Sequence, residues 1–341
     1  MKNPFLGTKF LLSAGMEYVK KLLTEDWWKL PPISVEIDPT NLCNNKCIWC
    51  MFREFRHRVR DSIPPEKMEE IINQLGDFGV KAVTFTGGGE PLMNPRVFPQ
   101  SFYQVRDNGM KVGLVSNGVL VDKYVDAILD TCTFVRFSID ASTPSTYRKL
   151  HGTDDFDKVI SNVKLVADGE PDVGIAFLVH PENYREVKSF CELGHSLGVD
   201  YVEFRPVYMP GLSLGERLVR NVLSQIEEAR DLESNSFKIF VRLKRFQEHL
   251  NRDKGFTECL ATPLVGVIGA DLNVYLCCQF RGHSDKVLGN LNHSTFKDIW
   301  FGLRRREVVG SIDVNWCPPC RYRTYNQVLN DLKNCDHEEF L

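Results

Sequence analysis

The stretch Ile33-Ser34-Val35-Glu36-Ile37-Asp38-Pro39-Thr40-Asn41-Leu42-Cys43-Asn44-Asn45-Lys46-Cys47-Ile48-Trp49-Cys50 decides how the chain is read. Its first five residues place β-branched apolar side chains at alternate positions, which predicts a strand. Three cysteines then follow in a C-x3-C-x2-C run, on a loop leaving the strand's C-terminal end. Parallel α/β folds place their reactive groups there. Three thiolates can hold three corners of a four-iron cluster and leave the fourth iron open to a ligand. The spacing also admits zinc, although structural zinc takes four ligands, commonly paired as C-x2-C, and no second pair lies close by. A third reading leaves all three as buried thiols without a ligand.

From residue 33 the pattern alternates. Strand-like runs at 33–38, 81–86, 111–115, 133–139, 173–179 and 200–205 are separated by helix-like runs at 65–76, 97–108, 121–130, 155–168 and 184–197. Six βα units running one way predict a parallel sheet with right-handed crossovers. Six strands do not readily close an eight-stranded barrel, so the expected fold is α/β, a partial (β/α)6 TIM-like barrel. Residues 216–233 look helical, and 237–253 are basic and amphipathic. Beyond Cys259 a hairpin signal (Val265 to Ile268, a turn, then Val274 to Leu276), a helix at 294–306 and a cysteine-rich tail predict a small α+β unit. The expected segments are therefore 1–32, 33–235 and 236–341. Residues 5–30 read as one amphipathic helix that packs on the body of the protein, with a membrane-surface contact as the alternative.

The 341 residues are 43% hydrophobic and 26% charged, ample for a sizeable core, and the net charge of -3 gives no field for nucleic acid. Basic clusters at Arg53, Arg56, Arg58 and Arg60 and at Arg304 to Arg306 read as solvated helix faces; the first also stands where an anionic substrate group could sit. Eleven cysteines, odd in number and clustered, argue against a secreted disulfide framework and for ligation in a reducing cytoplasm. No apolar run reaches the length of a membrane span.

After the second strand comes Thr86-Gly87-Gly88-Gly89-Glu90-Pro91. Consecutive glycines let a backbone approach a ligand closely, or merely let the chain turn. Glu90 adds a carboxylate able to accept from an ammonium group. On the fourth strand, period two puts Arg136, Ser138 and Asp140 on one face, where Ser138 and Asp140 could meet hydroxyls or Asp140 could simply cap the next helix. Together, C-x3-C-x2-C with Trp49 before the last cysteine, Gly88-Gly89-Glu90-Pro91, and Ser138-Ile139-Asp140 resemble the radical S-adenosylmethionine superfamily over residues 33–205. The resemblance implies that Cys43, Cys47 and Cys50 hold a [4Fe-4S] cluster whose open iron takes S-adenosylmethionine. It also implies that Gly88, Gly89 and Glu90 hold the methionyl ammonium, Trp49 borders the adenine, and Ser138 and Asp140 meet the ribose or carboxylate. Arg148 is the nearest candidate partner for that carboxylate, and Asn117 matches a frequent turn. An electron donor such as flavodoxin or ferredoxin is implied as partner.

Cys259, Cys277, Cys317 and Cys320 form a second set, split between the hairpin and a later C-x2-C. Spacing alone admits zinc. The set, with Leu288-Gly289-Asn290-Leu291 and Ile299-Trp300 between, resembles the SPASM/twitch extension of radical enzymes, which implies an auxiliary [4Fe-4S] cluster. The residues after Cys320 lack the further cysteines of a second auxiliary cluster, so one is expected. Cys278 could replace Cys277 as ligand or donate hydrogen to a substrate radical. Cys132 and Cys191 read as buried apolar fillers, and Cys335 has no assigned role. One closed cluster beside a radical site suggests dehydrogenation of a sugar- or cyclitol-like hydroxyl. Glu203 and Arg205, sharing a face of the sixth strand, are candidate substrate ligands or a barrel-wall ion pair. Radical epimerisation and peptide modification are the alternatives.

Overall fold

The computed structural model describes residues 8–209, 211–251 and 254–335. Ten strands form one sheet: β1 (Ser34–Ile37), β2 (Ala82–Phe85), β3 (Lys111–Ser116), β4 (Cys132–Ser138), β5 (Asp172–Val179), β6 (Tyr201–Pro206), β7 (Lys238–Val241), β8 (Val265–Ile268), β9 (Asn273–Tyr275) and β10 (Val287–Asn290). Their order is β10-β9-β8-β1-β2-β3-β4-β5-β6-β7. The first seven run parallel, with helices such as Pro65–Asp77, Phe156–Ala167 and Gly215–Glu228 crossing between them.

Two features depart from the sequence reading. The barrel sheet has a seventh parallel strand, β7, where the basic run at 237–253 had looked uniformly amphipathic; its helix begins only at Leu243. The boundary drawn at 235 therefore falls just ahead of a strand that belongs to the sheet. The C-terminal hairpin is also not a separate sheet, because β8 pairs in parallel with β1, Ser34 opposite Val265 and Ile37 opposite Ile268. The strand that carries the cysteine loop thus lies between the barrel and the second cysteine set.

Strand parity divides core from lumen. Val35, Ile37, Val83, Phe85, Val135, Phe137, Val202 and Phe204 are fully buried toward the helices. They meet the apolar stripes Met68-Ile71-Ile72-Leu75 and Val159-Val163-Val166. Each such side chain contributes roughly 1.5–3 kcal/mol relative to exposure. The opposite parity turns Glu36, Arg136, Ser138, Glu203 and Arg205 inward.

The N-terminal segment is two short helices, Phe10–Ala14 and Met16–Leu22, not one, because Gly15 adopts a φ of 76°. Residues 5–7 of the expected helix lie outside the described residues. Phe10, Val19, Leu22 and Leu30 pack against Leu260, Leu264 and Leu329. Of the Arg304 to Arg306 cluster only Arg304 is exposed. Arg305 is buried with its guanidinium 3.9 Å from the Trp300 ring centre, and Arg306 lies 3.4 Å from that of Trp28. Among the described residues no helix is long and apolar enough to cross a membrane.

Candidate functional site

The loop leaving β1 is held by the glycine turn that follows β2. Gly89 N–H donates to the Thr40 carbonyl at 3.1 Å and Glu90 N–H to that of Leu42 at 2.8 Å. A Cβ on Gly89 would stand 2.1 Å from the Leu42 oxygen, and one on Gly88 2.5 Å from Asn41 Oδ1. The missing side chains let two backbones touch. Cys43, Cys47 and Cys50 then line a cavity of about 340 Å³ at the strands' C-terminal ends. Its wall includes Trp49, Gly88, Gly89 and Glu90 from the first two loops, and Asn117, Ser138 and Asp140 from the next two strand ends. Among the described residues, no three His, Cys, Asp or Glu side chains converge as ligands of a single metal ion.

Glu90 is fully inside. Its Oε1 accepts from Ser116 Oγ at 2.8 Å and Leu92 N–H at 3.3 Å, and its Oε2 from Asn117 N–H at 2.7 Å. Burial pushes its pKa up to about 7, against the lowering effect of those bonds from Asn117, Ser116 and Leu92. Among the described residues it has no cationic partner. A buried carboxylate on a cavity wall without a cation fits a ligand that brings an ammonium group. Asn45, also on the wall, keeps a buried Oδ1 with no hydrogen-bond partner. Burial, followed by the Glu90 charge, raises the Cys43 thiol to about 11, so a thiolate there needs a metal to hold it. These residues fit an iron–sulphur cluster with S-adenosylmethionine beside it.

Asp140 does not cap the following helix; Thr143 does, accepting from Thr146 N–H at 3.3 Å. Asp140 instead accepts from Leu178 N–H at 2.6 Å and lies 3.3 Å from His151 Nε2. His151 Nδ1 stands 3.2 Å from Cys47 Sγ. Burial opposes the charged imidazole, yet hydrogen bonds with Asp140 and Cys47 raise its pKa to about 10. No spacing pattern in the sequence points to this histidine. Arg148 is corrected: it projects from the same helix into solvent, paired with Asp154, and does not line the cavity. Asn117 reaches Asn44 Oδ1 at 2.6 Å and sits 4.0 Å from Cys43 Sγ. From the first basic cluster, Arg56 lines the cavity, while Arg53 donates to the carbonyls of Lys46 and Cys47.

Asn326 joins two members of the second cysteine set. Its Nδ2 lies 4.0 Å from Cys259 Sγ and 3.7 Å from Cys320 Sγ, while its Oδ1 accepts from Leu260 and Ala261 N–H. Charge on Cys320 acts on Cys277, and charge on Cys259 acts on Cys317, so the four are electrostatic neighbours. Cys278 packs with Val267 and Tyr275. Gln279 and Pro319, within two residues of Cys277, Cys317 and Cys320, line the same cavity as the first three cysteines. Cys132 and Cys191 are buried in the main core.

Glu203 and Arg205 do face the lumen, but they line a second cavity of about 240 Å³. Glu203 accepts from Arg242 Nε at 2.7 Å and Arg136 Nη1 at 3.2 Å, with Arg205 Nε at 3.6 Å. Burial would raise its pKa, but Arg205, Arg136 and Arg242 hold it far below the usual carboxylate range. A carboxylate so held is a poor proton acceptor. Of the two readings of Glu203, substrate ligand or barrel-wall ion pair, the geometry shows the ion pair.

A model of the radical SAM superfamily matches residues 37–217, and one of the SPASM iron–sulfur cluster-binding domain matches 262–323. A probable GTP 3',8-cyclase of Saccharolobus islandicus is 29% identical over 64% of this chain and 70% of its own length. An Fe-coproporphyrin III synthase of Methanosarcina barkeri is 22% identical over 83% of this chain and 79% of its own. The structure of Streptococcus suis SuiB bound to precursor peptide SuiA superposes with a TM-score of 0.67 at 17% identity, covering 93% and 74% of the two chains. That of native anSMEcpe with bound AdoMet gives 0.65 at 18%, covering 87% and 88%. The chain belongs to the radical SAM superfamily and carries a C-terminal SPASM domain. It is an enzyme of [4Fe-4S] and S-adenosylmethionine chemistry with auxiliary iron–sulphur binding.

Proposed function

We propose that the enzyme removes hydrogen from a hydroxyl-bearing carbon of a small molecule and completes a net two-electron oxidation of that carbon. The observation that carries this reading is the shared cavity wall. Gln279 and Pro319 of the second cysteine set stand on the same wall as Cys43, Cys47 and Cys50. When bound, the cluster with S-adenosylmethionine supplies a hydrogen-abstracting 5'-deoxyadenosyl radical, and an auxiliary cluster supplies an electron acceptor. Cys259, Cys277, Cys317 and Cys320 would hold the latter.

The chain's own residues place and enclose the reactants. Glu90 offers its remaining lone pairs to the methionyl ammonium, and Ser138 its hydroxyl to the ribose or carboxylate. Trp49, 5.7 Å from both His151 and His180 by ring centres, forms an aromatic wall. A cavity of about 340 Å³ is near the low end for one small ligand. Further substrate room is offered by the adjoining second cavity, since Arg245 lines both. Epimerisation needs a thiol facing the substrate carbon. Cys278, the candidate donor, lines neither cavity, so the geometry favours oxidation.

The test is anaerobic turnover in deuterated water with a panel of neutral, phosphorylated and carboxylated sugars and cyclitols, GTP included. We expect a product two electrons more oxidised, one 5'-deoxyadenosine per product, and no solvent deuterium at the reacting carbon. Deuterium at an inverted carbon without net oxidation would overturn the reading.

A further inference from the structure

The second cavity carries more positive charge than its own structure requires. One buried carboxylate, Glu203, is shared by three guanidiniums, those of Arg136, Arg205 and Arg242. A single arginine fork would satisfy it. Arg136 is nine-tenths buried, and its Nε has no hydrogen-bond partner; neither has the buried Nε of Arg205. Arg245 also lines the cavity, and among the described residues its guanidinium makes no hydrogen bond or ion pair. Arg321 lines it too, but is engaged by Glu36 at 2.7 Å. The second carboxylate on the wall, Asp172, is exposed at the start of β5.

Removing like charges from water without counter-charge is costly. That cost shows in the arginines themselves. Burial, then the charges of Arg205 and Arg242, brings Arg245 down to about 10, and burial with Arg205 lowers Arg136. An anion entering here would meet the Arg245 guanidinium beside those of Arg136 and Arg205 in a site of low dielectric, where each charge-assisted bond is strong.

Resting on the radical-enzyme reading above, we infer that this cavity binds an anionic group of the substrate, a phosphate or a carboxylate, and that Arg245 aims it at the cluster cavity. The rest of the substrate then extends past Arg245 toward Ser138 and the cysteine loop. Arg136, Arg205 and Arg245 are the anion's donors, and Glu203 is the built-in counter-charge that keeps the empty site folded.

Calorimetric titration of the reconstituted enzyme, with S-adenosylmethionine bound, tests this using pyrophosphate, citrate and neutral myo-inositol as probes. We expect at least one anion to bind with an affinity that falls as salt rises, and myo-inositol not to bind. The tighter of the two anions names the group. R245Q should weaken that anion at least tenfold. E203Q, which removes the competing carboxylate, should tighten it, an effect that a purely structural Glu203 would not produce. Failure of both anions to bind the wild-type enzyme, or equal binding by wild type and a cluster-loaded R245Q, would overturn the inference. Visible absorption and S-adenosylmethionine cleavage in the same samples separate that outcome from failure of the radical-enzyme reading.

Discussion

Replacing Arg281 with alanine is expected to cost about 3–5 kcal/mol of apparent stability, because it strips a cation from two buried carboxylates at once. Arg281 Nε donates to Asp38 Oδ2 at 2.5 Å, and Nη2 reaches Asp38 Oδ1 and Glu36 Oε2, both at 3.0 Å. Nη1 donates to the Cys278 carbonyl at 2.8 Å, and the guanidinium lies 5.6 Å from the Phe52 ring centre. One side chain therefore joins β1, the cysteine loop and the second cysteine set. Without it Glu36 keeps Arg321, but among the described residues Asp38 is left with no cation. R281K should recover only part of the loss, since an ammonium cannot span both carboxylates as the planar fork does. Denaturation midpoints of the three reconstituted proteins check the order wild type, R281K, R281A. Equal midpoints for wild type and R281A would contradict it.

Gly89→Ala should be nearly as damaging, and locally so. The new methyl would sit 2.1 Å from the Leu42 backbone oxygen, and neither backbone can yield without parting the two hydrogen bonds that join the loops. Each such bond is worth about 1 kcal/mol, and the displaced segment is the one that aims Cys43. We expect an apparent loss of about 2–4 kcal/mol and a sharp fall in iron loading at the first site. Iron held by the Cys259, Cys277, Cys317 and Cys320 set should persist. Iron content and visible absorption of G89A against wild type measure this, and unchanged loading would show that the loops tolerate separation.

Much of this was legible in the chain because it is local. The β1 to β6 pattern is read from alternation in segments such as Val83 and Phe85 or Val202 and Phe204, whose alternate residues have no polar competitor. C-x3-C-x2-C and the Gly88 to Pro91 turn are contiguous motifs, and the loops that carry them meet as expected. β7 was hidden because Lys238–Val241 is four residues long and runs directly into a basic helix. The pairing of β8 with β1 joins residues more than two hundred apart, which no local pattern encodes. His151 had no ligand spacing to betray it; it reaches Cys47 only because its helix folds back under the loop. Arg148 stands about one turn before His151 on that short helix, but its side chain turns to Asp154 and solvent while the His151 ring is buried, a difference that no sequence pattern encodes. Glu203 and Arg205 were placed on the correct face, but their depth in the lumen depends on Arg136 and Arg242, which come from other strands and from the start of another helix.

The most direct test is anaerobic incubation of the reconstituted enzyme with S-adenosylmethionine and dithionite, followed by assay of 5'-deoxyadenosine and methionine. We expect wild type to form both, and C43A, C47A and C50A each to form neither while losing about four irons per chain and keeping the auxiliary iron. Formation of 5'-deoxyadenosine by these variants at the wild-type rate, or none by fully loaded wild type, would contradict the assignment of Cys43, Cys47 and Cys50 as the radical-generating centre.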